Sequence, residues 1–409
     1  MAGTGGSADR GPLTVGDVVA VLDSWFDPAW AESWDAVGTV CGDPAAPVRR
    51  VLLAVDPVRA VADEALAWHA DLLVVHHPLL LRAVHSVAAT TPKGRVVHDL
   101  VRGGCALHVC HTNADSPVGG VSESLAQALG LVDLAPLEPA TGEALDKLVV
   151  FVPDDSLEQV RAAVIAAGAG ALGDYDLGTF TSTGVGSFRP LPRAQPAVGE
   201  VGRVEQVAES RLETVLPRHR RAAVLGALRA AHPYEEPAFD LLAMVDLPGD
   251  RGSGRIGRLA RPLSLDRFVR SVVEALPATG SAVRVAGDPD RTIERVAVCG
   301  GAGDFLLDTV RSSGADAYVT SDLRHHPVSE LLEHSGEGQS TPAVIDVPHM
   351  AAEWTWLPRL AQRLTQTLTL GERDTTVEVR VSTVVTDPWT GHLPMTGRRG
   401  GDTTTEERP

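Results

Sequence analysis

Residues 72–78 read Leu72-Leu73-Val74-Val75-His76-His77-Pro78, and the way this stretch ends decides the fold. A short apolar run of this kind marks a strand buried on both faces, and Pro78 cannot continue a hydrogen-bonded ladder. Two polar imidazoles therefore stand at the carboxyl end of a buried strand. Upstream, VLLAV (51–55) has the same character, and Arg59 to His69 has helical spacing between the two. Strand, helix, strand at this separation implies a parallel sheet covered by helices. A helix over 94–102, a strand over 106–110 and a helix over 122–129 continue the alternation, and 13–26 precedes it as an amphipathic helix.

A different pattern begins near Lys147. It reads as a strand at 148–152, a helix at 157–167 capped by Ser156, and β-like stretches at 178–183 and 184–188. A Pro-rich loop then leads to a strand at 211–215, a helix at 219–231 and a strand at 238–245. Two β-α-β half-units in about a hundred residues suggest a ferredoxin-like α+β domain. The α/β pattern resumes with helices at 265–276 and 305–313, strands at 295–299, 317–320 and 343–346, a helix from His349 and a strand at 377–385. The expected organisation is an α/β core with a mixed or parallel sheet in two parts, 13–145 and 246–386, interrupted by the insert at 146–245. Residues 1–12 and 387–409 are expected to be a disordered leader and tail.

The chain of 409 residues carries 53 acidic against 36 basic residues, a formal charge of −17, which opposes long-range attraction to a nucleic-acid backbone. Cys41, Cys105, Cys110 and Cys299 contain no CxxC and fit neither a zinc finger nor a disulfide framework. They read as small apolar residues in or beside strands. No basic patch followed by an apolar stretch opens the chain, and no apolar run is long enough to span a bilayer. A reduced, cytoplasmic protein is expected.

The chemistry-bearing residues follow apolar strands. Adjacent strand side chains point to opposite faces, so His76 and His77 could not easily share one cation within a continuing strand, but at a strand end the pair can diverge toward two. Asp115, in HTNAD (111–115), follows the next strand and offers a hard oxygen ligand. His349 and Glu353 stand at i and i+4 on one helical face after the strand at 343–346. Each signal alone also has an ordinary reading: a loop His pair, a turn or capping aspartate, a solvated His–Glu pair. Together they supply three imidazoles and two carboxylates, an inventory that suits two borderline divalent ions such as Zn, Fe, Mn or Ni. SDLRHH (321–326) offers His326 as a general acid or base, with His111 and His325 as further candidates or as supporting groups. The run Cys299-Gly300-Gly301-Ala302-Gly303 lacks a phosphate-loop pattern and reads as a tight turn permitting close backbone approach.

Taken together, His76-His77-Pro78, HTNAD with Gly119-Gly120, the CGGAG turn, SDLRHH and His349-xxx-Glu353 resemble the GTP cyclohydrolase 1 type 2 family, also called dinuclear metal-centre hexameric proteins. The similarity runs from about Val15 to Val385 and includes WDAVG (34–38), TPKGR (91–95) and GRIGRL (254–259). It implies two divalent cations per subunit held by His76, His77, Asp115, His349 and Glu353, with Asp115 and Glu353 bridging, in a toroidal homohexamer. KLVVFVP (147–153), GSFRP (186–190), GEVGRVE (199–205) and HPYEEPAFD (232–240) are similar to the CutA- or PII-like insert of longer bacterial members. Ala36, Ser321, His325 and Pro348 stand where the family usually has Asn, Gly, Tyr and Gly, and none of these departures removes an expected ligand. The implied activity is metal-assisted water attack on a nucleotide, GTP ring opening by the family's name, or hydrolysis of another phosphate ester. The alternative is a non-enzymatic metal-binding sensor or scaffold that uses the insert.

Overall fold

The computed structural model describes residues 11–334, 341–370 and 376–394, so of the disordered leader expected at 1–12 and tail expected at 387–409, residues 1–10 and 395–409 lie outside the described residues. The chain divides into two compact units, Met1–Pro139 with Asp250–Pro409, and Ala140–Gly249.

The first unit contains two sheets. One has the strand order Gly38–Cys41, Ala106–Val109, Leu72–Val75, Arg50–Ala54, Glu378–Val381. Its last four strands are mutually parallel and the first is antiparallel. Strand alternation divides its core into two layers. Val51, Leu53, Leu72 and Val74 pack with Val18 and Leu22 of the helix Val15–Trp25 and with Trp356 and Leu360 of the helix Trp356–Leu370. Leu52, Ala54, Leu73 and Val75 pack on the other face with Val61 and Ala65 of the helix Arg59–Ala67 and Val97 and Leu100 of the helix Pro92–Arg102. Burial on both faces explains why these strands read as unbroken apolar runs. The first helix opens with a reciprocal cap, Thr14 Oγ1 accepting from the Asp17 N–H while the Asp17 carboxylate accepts from Thr14 N at 2.9 Å.

The second sheet runs Arg284–Ala286, Ala343–Asp346, Ala317–Ser321, Thr292–Ala302, Pro248–Ser264, Leu131–Thr141. Its three central strands are parallel from Thr292–Ala302 through Ala317–Ser321 to Ala343–Asp346. The strands paired on either side of those three are antiparallel to them. Val319 and Ile345 pack against Phe268 and Val272 of the helix Leu265–Ala275, whereas Tyr318 and Val344 face Leu307 and Val310.

The unit Ala140–Gly249 runs strand Leu145–Pro153, helix Leu157–Ala166, strands Thr179–Phe188 and Glu205–Pro217, helix Arg221–Ala231 and strand Phe239–Ala243. Numbered one to four, its strands lie in the order two-three-one-four and every pair is antiparallel, which is the ferredoxin-like arrangement. The stretches expected at 178–183 and 184–188 form one strand. Ser156 sits at the helix start without a side-chain cap, because a 3-10 turn over Asp154–Ser156 precedes the helix and its hydroxyl bonds Asp155 instead.

All four cysteines are free thiols; three are buried and Cys41 is partly covered. Residues 387–394 form no helix or strand, but Trp389 N donates to Asp387 at 3.1 Å and the His392 ring bonds the Gly280 carbonyl at 3.2 Å. Among the described residues no helix is long and apolar enough to cross a membrane.

All seven tryptophans lie in the first unit, so their fluorescence reports its unfolding. Leu73 is fully buried in the parallel sheet, and Leu73→Ala is expected to destabilise this unit by about 2–5 kcal/mol. Urea unfolding followed by tryptophan emission checks this, and an unmoved midpoint would contradict the double burial.

Candidate metal centre

His76 and His77 leave the ladder at the end of Leu72–Val75 by bending toward the neighbouring strand. His76 N donates to the carbonyls of Ala54 and Val55 at 3.2 and 3.1 Å, and His77 N to that of Val55 at 2.9 Å. The bend lets two consecutive side chains converge, with ring centroids 5.1 Å apart and planes inclined by 42°. His111 follows the adjacent strand, and Asp115 ends the short helix Thr112–Asp115. From the second sheet, His349 and Glu353 are carried by the helix His349–Trp354, behind the strand Ala343–Asp346. The carboxyl ends of parallel strands from both sheets thus meet at one place.

Glu353 is its centre. One carboxylate oxygen, Oε1, lies 2.8 Å from His349 Nε2 and 3.4 Å from His76 Nε2, and the other lies 3.0 Å from His77 Nε2. Asp115 Oδ1 is 3.5 Å from His76 Nε2, and the His77 and His349 Nε2 atoms are 3.3 Å apart. The five residues expected to bind metal are therefore brought together. Two groups of ligand atoms each fall within a 4.8 Å span: His76, His77 and His111, and His77, His349 and Glu353.

Every imidazole in the cluster is oriented from behind. Nδ1 donates to the Cys110 carbonyl at 2.8 Å from His76, to Asp56 at 2.7 Å from His77, to Asp35 at 2.8 Å from His111 and to Asp322 at 2.6 Å from His349. A carbonyl or carboxylate oxygen only accepts, so in the neutral ring the proton belongs on Nδ1 and Nε2 is left for a ligand. Asp35 is itself fixed by the N–H and hydroxyl of Thr112. The fully buried Trp356 lies beneath His76, 5.6 Å between ring centroids, and packs edge-on against Phe26.

Burial and charge oppose each other here. Burial disfavours a charged ring at His77, but the Glu353 carboxylate and then Asp56 outweigh it and hold the imidazole pKa up at about 11. The same contest, won by Glu353 and Asp322, raises His349 to about 10. His76 also rises, its burial outweighed by Glu353. For Glu353, burial is overcome by His77, His76 and His349, which hold its carboxyl well below the usual range. Burial dominates at Asp115 and pushes it up, with His76 and His111 pulling only part of the way back.

The backbone comes close as well. Gly301 has φ of +71°, and a Cβ there would lie 2.6 Å from Glu353 Oε1 and 3.2 Å from His349 Nε2. A side chain would enter the cluster, so the glycine run serves close approach, though it lies within a longer strand than expected. Arg255, 1% exposed, clamps the loop after Asp115: Nη2 donates to the Ser116 and Pro117 carbonyls, both at 2.8 Å, and Nη1 to those of Gly252 and Gly254.

His326 is not brought to the cluster. It is exposed in the first turn of the helix His325–Glu333 and its ring meets only that of His325, 5.1 Å away, among the described residues. His111, weighed at first as an acid–base or supporting group, is at the cluster instead, with centroids 5.1 Å from His76 and 5.6 Å from His77. Sequence reasoning missed the orienting carboxylates Asp35, Asp56 and Asp322. A signal was present for two of them, since Asp56 directly follows VLLAV and Asp322 directly follows a strand.

Cavities flank the cluster on two sides and share Asp56 and His77. One, of about 650 Å³, is lined by Arg59, Lys93 and Arg95. Its single acid, Asp56, is engaged by His77 and by the Thr386 hydroxyl, and Arg59 is engaged by Asp63 and Asp99. The other, of about 730 Å³, is lined by Asp322, His349, Asp387 and Trp389.

Residues 13–388 match the family Duf34/NIF3 (NGG1p interacting factor 3). A GTP cyclohydrolase 1 type 2 homolog from Mycobacterium tuberculosis is 51% identical over 378 residues, covering 92% of this chain and 97% of that one. The Bacillus subtilis protein of the same name is 38% identical over 315 residues, 77% of this chain and 84% of that one. A crystal structure of a Bacillus cereus protein related to NIF3 superposes with a TM-score of 0.74 at 31% identity, covering 93% of this chain and 99% of that one. With a match over nearly its whole length and relatives of this similarity, the chain belongs to the Duf34/NIF3 family, among the GTP cyclohydrolase 1 type 2 homologs.

Proposed function

We propose that the cluster holds a pair of divalent cations and that the protein is a metal-dependent hydrolase acting on an anionic organic substrate, a nucleotide or another phosphate ester. The observation that carries this reading is the buried Asp115 Oδ1, which receives no hydrogen bond among the described residues although it faces a cluster of four imidazoles gathered around the Glu353 carboxylate. Buried acceptors are almost always satisfied, so an orphaned one amid convergent Nε2 atoms suits a cation rather than a hydrogen-bond donor. His76, His77, Asp115, His349 and Glu353 would hold the ions, with His111 as a sixth donor. Nitrogen and carboxylate donors of this kind suit Zn, Fe, Mn or Ni. Bound there, such ions supply Lewis acidity toward a carbonyl or phosphoryl oxygen and make water a nucleophile near neutral pH.

The chain's own residues supply orientation and selectivity. Asp35, Asp56 and Asp322 fix ring direction and raise ligand basicity. Gly301 keeps the approach to Glu353 open. Lys93 and Arg95 place positive charge beside His77 in a chain of formal charge −17, which favours a substrate with a phosphate or carboxylate group on that side. Trp389, 69% exposed on the opposite cavity, offers a flat face to a ring. Those two walls support the nucleotide reading and leave GTP, the substrate in the relatives' name, as the first compound to assay.

Purified protein loaded with zinc or manganese and then desalted is expected to retain two ions per chain by elemental analysis, and Glu353→Gln to lose at least one with the circular dichroism spectrum unchanged. Unaltered stoichiometry in that variant contradicts the assignment. For function, GTP and a panel of phosphate esters are assayed for formate and phosphate release with Asp115→Ala as control. Release of either product by wild type alone supports the hydrolase, while product from neither protein favours a sensor or scaffold. Asp322→Ala, which frees His349 to rotate, is expected to weaken cation binding by about 10–100-fold in competition with a chelator; an unchanged affinity would remove Asp322 from the account.

A further inference from the structure

The unit Ala140–Gly249 has a cavity of its own, about 570 Å³, lined entirely by residues of that unit. Two stretches that the sequence singled out meet there, GSFRP (186–190) and HPYEEPAFD (232–240), together with Phe151 and Glu209. Its walls are mostly apolar, with Phe151, Phe188 and Tyr234 as the aromatic members. This volume falls within the range of small-molecule sites.

Glu209 is the unusual group. It is 9% exposed, and among the described residues no Lys, Arg or His nitrogen lies within the 4.0 Å of an ion pair. Arg211, the one basic residue on the wall, pairs with Glu213 at 3.0 Å instead. Glu209 is nonetheless held in place. Tyr234 donates its hydroxyl to Oε1 at 2.9 Å, the Tyr234 N–H donates to His232 Nδ1 at 3.1 Å, and His232 Nε2 donates to the Phe151 carbonyl at 2.9 Å. The opposing strand makes room for it: a Cβ on Gly186 would lie 2.0 Å from Glu209 Oε2. A carboxylate this buried, oriented by a relay and lacking a cationic neighbour, is costly unless a cation joins it. Glu235 and Glu236 on the rim add to the negative field. No group of three metal-ligating side chains forms here among the described residues.

We propose that this cavity binds a small organic cation, an ammonium group on an aromatic or apolar body, with Glu209 as counter-ion and the three rings enclosing the body. Such a ligand satisfies the buried charge and fills the apolar space at once. The site is independent of the cation cluster and stands whether or not the hydrolase reading holds.

The test is calorimetric titration of the full chain with 2-phenylethylammonium, its neutral isostere 2-phenylethanol and the anion 3-phenylpropionate. The ammonium is expected to bind, with the alcohol at least about tenfold weaker and the anion not detected. Glu209→Gln, nearly isosteric, is expected to weaken the ammonium at least about tenfold with the thermal transition retained, and Glu353→Gln to leave it unchanged. Equal binding of alcohol and ammonium to the wild-type protein, no binding of the ammonium, or full affinity in Glu209→Gln would each overturn the proposal. The wild-type ligand comparison decides the matter even if the variant fails to fold.

Discussion

The contact on which the first unit depends is that of the Glu353 carboxylate with three imidazoles. A carboxylate removed from water is tolerated only where opposite charge or donors compensate it. Here His349 and His77 stand at 2.8 and 3.0 Å and His76 at 3.4 Å. That requirement makes the local architecture intelligible. The ladder must stop at Val75 so that consecutive histidines can turn inward, Gly301 must lack a side chain, and Trp356 must fill the space beneath His76. The parallel strands of two mixed sheets, meeting at their carboxyl ends, deliver these pieces from opposite sides.

Polar atoms behind the rings give the cluster its rigidity. Each Nδ1 is tied to an oxygen, so the side chains are oriented before any ligand arrives. Arg255 performs the same service for the chain around Asp115 by gathering four carbonyls under one guanidinium. Such preorganisation lowers the entropy lost on binding. The two flanking cavities differ in charge, one edged by Lys93 and Arg95 and the other by Asp322, Asp346 and Asp387 together with Arg284.

Much of this was legible in the sequence because doubly buried strands carry a dense apolar signal. Leu72–Val75 and Ala343–Asp346 were located to the residue; His76 and His77 follow the first directly, while Asp115, His349 and Glu353 sit on short helices shortly after the strands that precede them. The strands Leu131–Thr141 and Pro248–Ser264 were not seen. The first is mostly exposed and contains Pro136 and Pro139, and the second is interrupted by glycines, so neither shows a period-two pattern. Gly38–Cys41 and Arg284–Ala286 are short edge strands whose pairing depends on distant partners. At the site, His111 was recognised as chemically able, but its proximity to His76 comes from strand pairing across the sheet rather than from local spacing. His326 was preferred to it as the acid or base from sequence, but it is exposed in the first turn of its helix. The orienting aspartates escaped notice because an acidic residue after a strand is ordinary until its partner's position is known.

The central claim is best tested by anomalous scattering from crystals soaked in zinc or manganese. The account predicts two peaks within coordinating distance of the side chains of His76, His77, Asp115, His349 and Glu353, with His111 adjoining the first three. Peaks elsewhere, with these side chains ordered and bonded only to one another, would contradict it.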